Sequence, residues 1–299
     1  MLIALVALLA LLIVMLSRQG VRWWFERASV SGYARGPDGV IIGAEPLDLA
    51  HTGGPGLLLL HGFGDTPQTM RDLATQLHAR GYGVVVPLLP GHGRTLRQFV
   101  QSGSREWLAH ANSALATLRT LHPQIGIIGL SMGGALATIL AAEHADVRTL
   151  VLIAPYLSVP SRVRRLTRWR GTIGQLLPYF PALGSRSIHD EKARVENLAY
   201  GALNATTLSE LVAVVDLGAG ALPTLTVPVL MLQSREDNRI PAAAAEGIFE
   251  RIGSSNKRLT WLAGCGHILT VDHQRERVAS ETMAWLDRTM PITRAESGG

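Results

Sequence analysis

Met1 to Leu16 is an apolar run of Leu, Ile, Val, Ala and Met, closed by Ser17 and Arg18. A helix over those 16 residues would be about 24 Å long. Spanning the ~30 Å hydrocarbon of a bilayer then needs local thinning, or continuation to Val21, Trp23, Trp24 and Phe25 with the tryptophans at the interface. After a glycine-rich, poorly periodic stretch from Ser31 to Gly56, the pattern changes. Short runs that are apolar on both faces recur at Leu57 to Leu60, Val84 to Val86, Ile125 to Ile128, Thr149 to Ile153 and Val229 to Gln233. Their shortness and two-sided apolarity predict buried parallel strands. Between the first two, Met70, Leu73 and Leu77 mark one face of a helix over Pro67 to Arg80, with Thr66 as N-cap and Gly81 as its stop. This alternation predicts an α/β fold, a doubly wound and mostly parallel sheet with its ligand crevice at the carboxyl ends of the strands. The rhythm fails from Tyr156 to Leu225, which predicts a helical lid insertion over that crevice. The expected organisation is an anchor and flank at 1–27, a first core part at 28–155, the lid at 156–225 and a second core part at 226–299.

Composition narrows the function classes. Hydrophobic residues make up 47% and charged residues 17%, which excludes a disordered chain. The lone Cys265 excludes an intramolecular disulfide and a cysteine-built zinc or iron–sulfur site. The formal charge of +5 is not spread as a nucleic-acid binder requires, since aromatics are 5% and interleave with no basic stretch. A membrane accounts for the charge better. No basic residue precedes the apolar run, whereas Arg18, Arg22 and Arg27 follow it, the pattern of an uncleaved anchor with the rest of the chain on the cytoplasmic side. The alternative is an export signal with an unusually weak basic start. Within the insertion, Arg162, Arg164, Arg165, Arg168 and Arg170 surround Trp169 and suggest an electrostatic contact with anionic lipid, against the plainer reading of a solvated helix face.

Gly129-Leu130-Ser131-Met132-Gly133 lies between a predicted strand and an apolar helical run. A turn tight enough to expose Ser131 Oγ there demands small residues on both sides, and the helix start supplies a backbone donor. A serine nucleophile needs a base and a carboxylate to hold that base. Asp237, with Glu236 as the second choice, sits in the polar loop after the Val229 to Gln233 strand; His267 follows the Arg258 to Leu262 strand between loop glycines. The oxyanion donors expected are the N–H groups of Met132 and of Phe63, in His61-Gly62-Phe63-Gly64 after the first buried strand. The apolar residues Leu176, Leu177, Tyr179 and Phe180 are candidates for an acyl pocket or for lid core. Neither a metal nor an organic cofactor is required by this chemistry.

His61 to Pro67, Pro90-Gly91-His92-Gly93, Gly129 to Gly133, Asp237 and Gly266-His267 through Asp272 together resemble the bacterial carboxylesterase and monoacylglycerol lipase group of the α/β-hydrolases, over about residues 56 to 290. The resemblance implies the triad Ser131, Asp237 and His267, the oxyanion donors Phe63 and Met132, and a structural role for His92. It implies cleavage of carboxylic esters, of short to medium acyl chains and including monoacylglycerols, through an acyl-enzyme. Thioester, peptide or carbon–carbon bond hydrolysis by the same machinery stays open, as does a membrane-tethered scaffold without turnover. The N-terminal anchor and the arginine-rich insertion depart from the group's pattern.

Overall fold

The computed structural model describes residues 15, 17–29, 32–49, 54–182 and 187–292; apart from Met15, the proposed membrane segment lies outside them. Helix α1 covers residues 17–29. The chain then runs through β1 (Leu47–Leu49), β2 (Gly56–Leu60), α2 (Gln68–Arg80), β3 (Gly83–Val86), α3 (Leu96–Gln101), α4 (Ser104–Leu121), β4 (Ile125–Leu130), α5 (Met132–Glu143) and β5 (Val147–Ile153). The inserted segment carries α6 (Ser161–Arg168), α7 (Arg170–Leu176), β6 (Phe180–Pro181), α8 (Glu191–Glu196), β7 (Ala202–Leu203) and α9 (Ala205–Ala221). The core resumes with β8 (Val229–Ser234), α10 (Ala242–Arg251), β9 (Lys257–Leu262) and α11 (Arg275–Thr289).

Seven strands form the sheet in the order β1-β3-β2-β4-β5-β8-β9, and every pairing is parallel except that of β1 with β3. The chain passes from β2 outward to β3 and then returns to place β4 on the other side of β2. That reversal opens a crevice at the carboxyl ends of β2 and β4, where neighbouring connections leave to opposite faces. Alternate residues of each strand feed two cores. Leu58, Leu60 and Ile127 pack with α4 and α5 on one face, while Leu57, Leu59 and Ile128 pack with α2 and α11 on the other. Burial on both faces is why these strands read as continuous apolar runs. Helix α5 lies hard against β2: a Cβ on Gly133 would sit 2.1 Å from the Leu60 carbonyl oxygen, so only glycine permits this approach.

Helix α2 is bounded at Gln68–Arg80, and Pro67 before it already has helical dihedrals, with Thr69 and Met70 donating back to the Thr66 and Pro67 carbonyls, so the turn opens at Pro67 as expected. Two other expectations are corrected. Leu47–Leu49 is a strand although the stretch containing it has no periodicity; three residues pairing antiparallel with β3 leave too short a pattern to read. The insertion is helical but also holds a two-stranded antiparallel pair, Phe180 with Leu203 and Pro181 with Ala202. Its last helix, α9, packs on α5 and joins the main core through Leu211, Val214 and Val215. Among the described residues the only helix long and apolar enough to cross a membrane is Ala205–Thr224, which contains α9 and has its apolar face against α5.

Candidate active site

Ser131 occupies the turn between β4 and α5 with φ 55° and ψ −115°, a conformation that L-residues rarely adopt. The backbone around it is pinned. Its N–H donates to the Ile153 carbonyl at 3.0 Å, and its carbonyl accepts the N–H groups of Gly134 at 2.9 Å and Tyr156 at 3.0 Å. The strain is thus held by the strand end on one side and the helix start on the other, and Oγ projects from the carboxyl edge of the sheet.

His267 arrives from the loop after β9, and its ring is buried. The Ser131 hydroxyl donates to His267 Nε2 at 2.8 Å, and His267 Nδ1–H donates to Asp237 Oδ2 at 2.8 Å. Asp237 stands in the loop after β8. Arg239 and Ile240 donate their N–H groups to its Oδ1 at 2.7 and 3.0 Å, and Gln233 Nε2 donates to its Oδ2 at 2.8 Å. Burial pushes the Asp237 carboxyl up, but the neighbouring His267 charge and the hydrogen bonds from His267, Ile240 and Arg239 outweigh it and hold the group below the usual carboxylate range. Glu236, the other carboxylate of this loop, faces elsewhere: its Oε1 accepts the Gly264 N–H at 2.7 Å. Ser234 closes the frame by donating to the Cys265 carbonyl, tying the carboxylate loop to the imidazole loop. Burial raises the Cys265 thiol above its ordinary range, which suits a packing residue.

The loop after β2 completes the site. A Cβ on Gly62 would lie 3.5 Å from Ser131 Cβ, so the His61 to Gly64 loop runs directly beside the serine. Among the described residues neither the Phe63 nor the Met132 N–H has a protein acceptor, which leaves both available for a ligand oxygen. Behind this loop His61 accepts the Leu89 N–H on Nε2 at 3.2 Å and therefore donates from Nδ1 to the Gly62 carbonyl at 3.0 Å. Burial keeps His61 well below the ordinary imidazole range, and holds His92, edge-on to it, at about 4. Neither ring reaches the serine chain of hydrogen bonds.

Two residues were given no role from the sequence. Gln233 reads as the polar end of a buried strand, and Asp272 only as the end of a motif that carries the resemblance. Asp272 is fully buried and accepts four backbone N–H groups, from His189 and Gly266 on Oδ2 and from Asp190 and His273 on Oδ1, at 2.6 to 2.9 Å. It clamps the imidazole loop to the inserted segment. The four acyl-pocket candidates separate: Leu176 and Leu177 are exposed, Phe180 is half-buried in β6, and Tyr179 is buried with its hydroxyl donating to Glu26 of α1 at 2.8 Å. A preformed acyl pocket thus gains no support at Leu176 and Leu177. Of the five arginines clustered at 162–170, all exposed, Arg164 forms a two-point ion pair with Asp216 on α9, 2.9 Å at Nη1. Among the described residues no three His, Cys, Asp or Glu side chains are grouped to hold a metal ion.

A strained serine at a strand-to-helix turn, hydrogen-bonded to a histidine and through it to an aspartate, is the arrangement of a nucleophilic hydrolase. Residues 56–274 match the family model for serine aminopeptidase, S33. The chain belongs to this α/β-hydrolase family. It is 30% identical over 244 residues to the thermostable monoacylglycerol lipase of Bacillus sp. (strain H-257), covering 82% of this chain and 94% of that one. It is 25% identical over 239 residues to a carboxylesterase of Bacillus subtilis (strain 168), covering 79% and 94%. Among solved structures it is similar to one from a study of LipS and LipT, two metagenome-derived lipolytic enzymes, at 30% identity and a TM-score of 0.76 over 83% of this chain and 99% of the other. The Paleococcus ferrophilus monoacylglycerol lipase shares the fold, with a TM-score of 0.69 at 19% identity, over 82% and 99%. This α/β-hydrolase is a carboxylesterase-type enzyme.

Proposed function

We propose that the protein hydrolyses carboxylic esters of short to medium acyl chains, monoacylglycerols among them, through an acyl-enzyme on Ser131. The observation that carries this reading is the continuous relay from Ser131 Oγ through His267 to Asp237, each link 2.8 Å. As Oγ attacks the ester carbonyl, His267 Nε2 takes its proton, and Asp237 stabilises the imidazolium that results. The carbonyl oxygen, now negative, is received by the Phe63 and Met132 N–H groups. His267 then returns the proton to the departing alkoxide, releasing the alcohol. Water attacks the acyl-enzyme by the same route in reverse, freeing the acid and restoring Ser131. The two Bacillus relatives, one named for monoacylglycerol and one for carboxylic esters, favour uncharged esters over peptides as the first substrates to try. The test is a panel of acyl esters of graded chain length beside monoacylglycerols, thioesters and peptides, run with the wild type and with Ser131→Ala. Ester turnover abolished by the substitution supports the reading; turnover confined to peptides or thioesters replaces the substrate class.

We further propose that the enzyme works at a membrane, anchored through Met1 to Leu16 with its hydrolase domain on the cytoplasmic side, as the trailing arginines favour. Trp23 and Trp24 on α1 and Trp169, Leu176 and Leu177 on the insertion are each more than half exposed. The two elements are joined: Arg18 donates to the Gly174 carbonyl at 3.1 Å, and Phe25 packs on Tyr179. Large apolar side chains flanked by arginines suit the boundary between headgroups and acyl chains. Such a surface would hold the insertion against the bilayer from which a lipid ester is drawn.

A further inference from the structure

Gln233 follows four apolar residues of β8 and is completely buried. Its Nε2 donates to Asp237 Oδ2, the same oxygen that accepts His267 Nδ1–H. We propose that Gln233 is a positioning residue for hydrolysis: its amide N–H locks Asp237 Oδ2 toward His267 and draws off part of the carboxylate charge that the imidazolium feels. The proposal rests on the roles given above to Ser131, His267 and Asp237.

Three observations separate this from ordinary packing. The amide orientation is forced, because turning Oε1 toward Asp237 would set two acceptors against each other. That orientation leaves Oε1 buried with no hydrogen-bond partner among the described residues. An orphaned buried acceptor destabilises a fold, so an apolar side chain of the same volume would serve a purely structural purpose better. What the glutamine adds is one N–H, and it is spent on the carboxylate. Asp237 Oδ1 is already held by two backbone donors, so without Gln233 the position of Oδ2 depends on the histidine that it is meant to orient.

Removing the amide has two consequences. Oδ2 regains full charge and holds the protonated, inactive form of the relay more tightly, so the acid limb of the rate profile moves upward. The carboxylate also gains freedom to rotate, which lowers turnover without touching the substrate. The other ionisable groups facing this pair are Tyr156, Arg239 and Cys265, and they remain the same in every variant.

The experiment follows the rate of Ser131 phosphonylation by a fluorophosphonate probe, and of ester turnover, from about pH 5 to 9, in the wild type, Gln233→Met and Gln233→Leu. Methionine fills similar volume without a donor; leucine removes the donor with a different, branched shape. Expected are an acid limb raised by about half a pH unit or more in both variants, a kcat lowered about tenfold and an unchanged KM. The unfolding midpoint of Gln233→Met should equal or exceed that of the wild type. An unmoved acid limb in both variants overturns the proposal, as does a loss of kcat matched only by a loss of stability. If Gln233→Met does not fold, the Gln233→Leu profile decides. Failure of the underlying site reading is distinct: it would leave Ser131→Ala labelled or active, whatever the Gln233 variants do.

Discussion

At the scale of single residues, burial decides what each ionisable group contributes. Asp237 is stabilised as an anion by its donors and should be the carboxylate on which catalysis depends. Asp237→Asn should lower kcat/KM by about three orders of magnitude or more, while Glu236→Gln should change it only a few-fold. Steady-state kinetics on both variants checks this; the reverse order would show that the loop is used differently. Asp65 behaves in the opposite sense. It is buried beside the Thr66 N–H and the Thr69 hydroxyl, and desolvation outweighs those two hydrogen bonds and pushes its carboxyl up to about 7. Because the native state keeps this proton to higher pH than the unfolded chain, stability falls as pH rises from about 4 to 7, and the loss is complete above 7. Asp65→Asn should therefore raise the unfolding midpoint at pH 8 and raise it clearly less at pH 5. A gain independent of pH would mean that the carboxylate is already ionised throughout. Comparison at matched pH matters, because His61 and His92, both held below the imidazole range, lose stability as pH falls and so tilt the background the other way.

Among elements, the link that matters most for function is between the imidazole loop and the inserted segment. Asp272 makes it, with two N–H groups on each oxygen. Asp272→Asn would turn one oxygen into a donor and leave two buried N–H groups facing it, at about 1–3 kcal/mol each. The expected cost is roughly 3 kcal/mol of stability and about a tenfold lower kcat, since Gly266 immediately precedes His267. Burial raises the Asp272 carboxyl, but its four backbone donors prevail and hold it below the usual value of 3.8. Its contribution is thus present above that pH and lost as acid protonates the native carboxylate, so the stability gap between wild type and variant should close below about pH 4. Denaturant titrations at pH 7 and near pH 3 would show it; a gap constant with pH would place the stabilisation elsewhere.

The whole molecule couples its amino-terminal helix to the inserted segment. Glu26 and Phe25 of α1 hold Tyr179, and Arg18 caps the Gly174 carbonyl. Two truncations should therefore differ. Removing residues 1–16 should release an active enzyme that retains α1 and its grip on the insertion. Removing residues 1–31 should release an enzyme whose residues 161–182 exchange amide hydrogens faster, because Tyr179 loses its partners. Either protein should still bind anionic vesicles at low salt through the insertion arginines, bind them more weakly as salt rises, and bind neutral vesicles poorly. Indifference to anionic vesicles at low salt would reduce the arginine cluster to a solvated face and leave any membrane location to the first residues alone. Equal exchange rates in the two truncations would remove the mechanical link.

Much of this was determined by local sequence. Runs such as Leu57 to Leu60 and Val229 to Leu232, short and apolar throughout, read as strands buried on both faces, and glycines two positions either side of Ser131 permit the sharp turn that exposes its hydroxyl. Chain order then brought Asp237 and His267 into consideration, since strand ends converge on the crevice. The sequence put Asp237 ahead of Glu236, and the tertiary structure separates them: Asp237 meets the imidazole while Glu236 accepts the Gly264 N–H. Tertiary structure decided that Gln233 and Asp272 serve the reacting pair, since neither the loop that turns Asp237 back onto Gln233 nor the approach of His189 and Asp190, 83 and 82 residues from Asp272, leaves a local period. It also turned Tyr179 toward α1 and left Leu176 and Leu177 in solvent, where the sequence offered four apolar residues and no surface to bury them against. Local pattern dictates what a segment can be; long-range packing dictates what its side chains face.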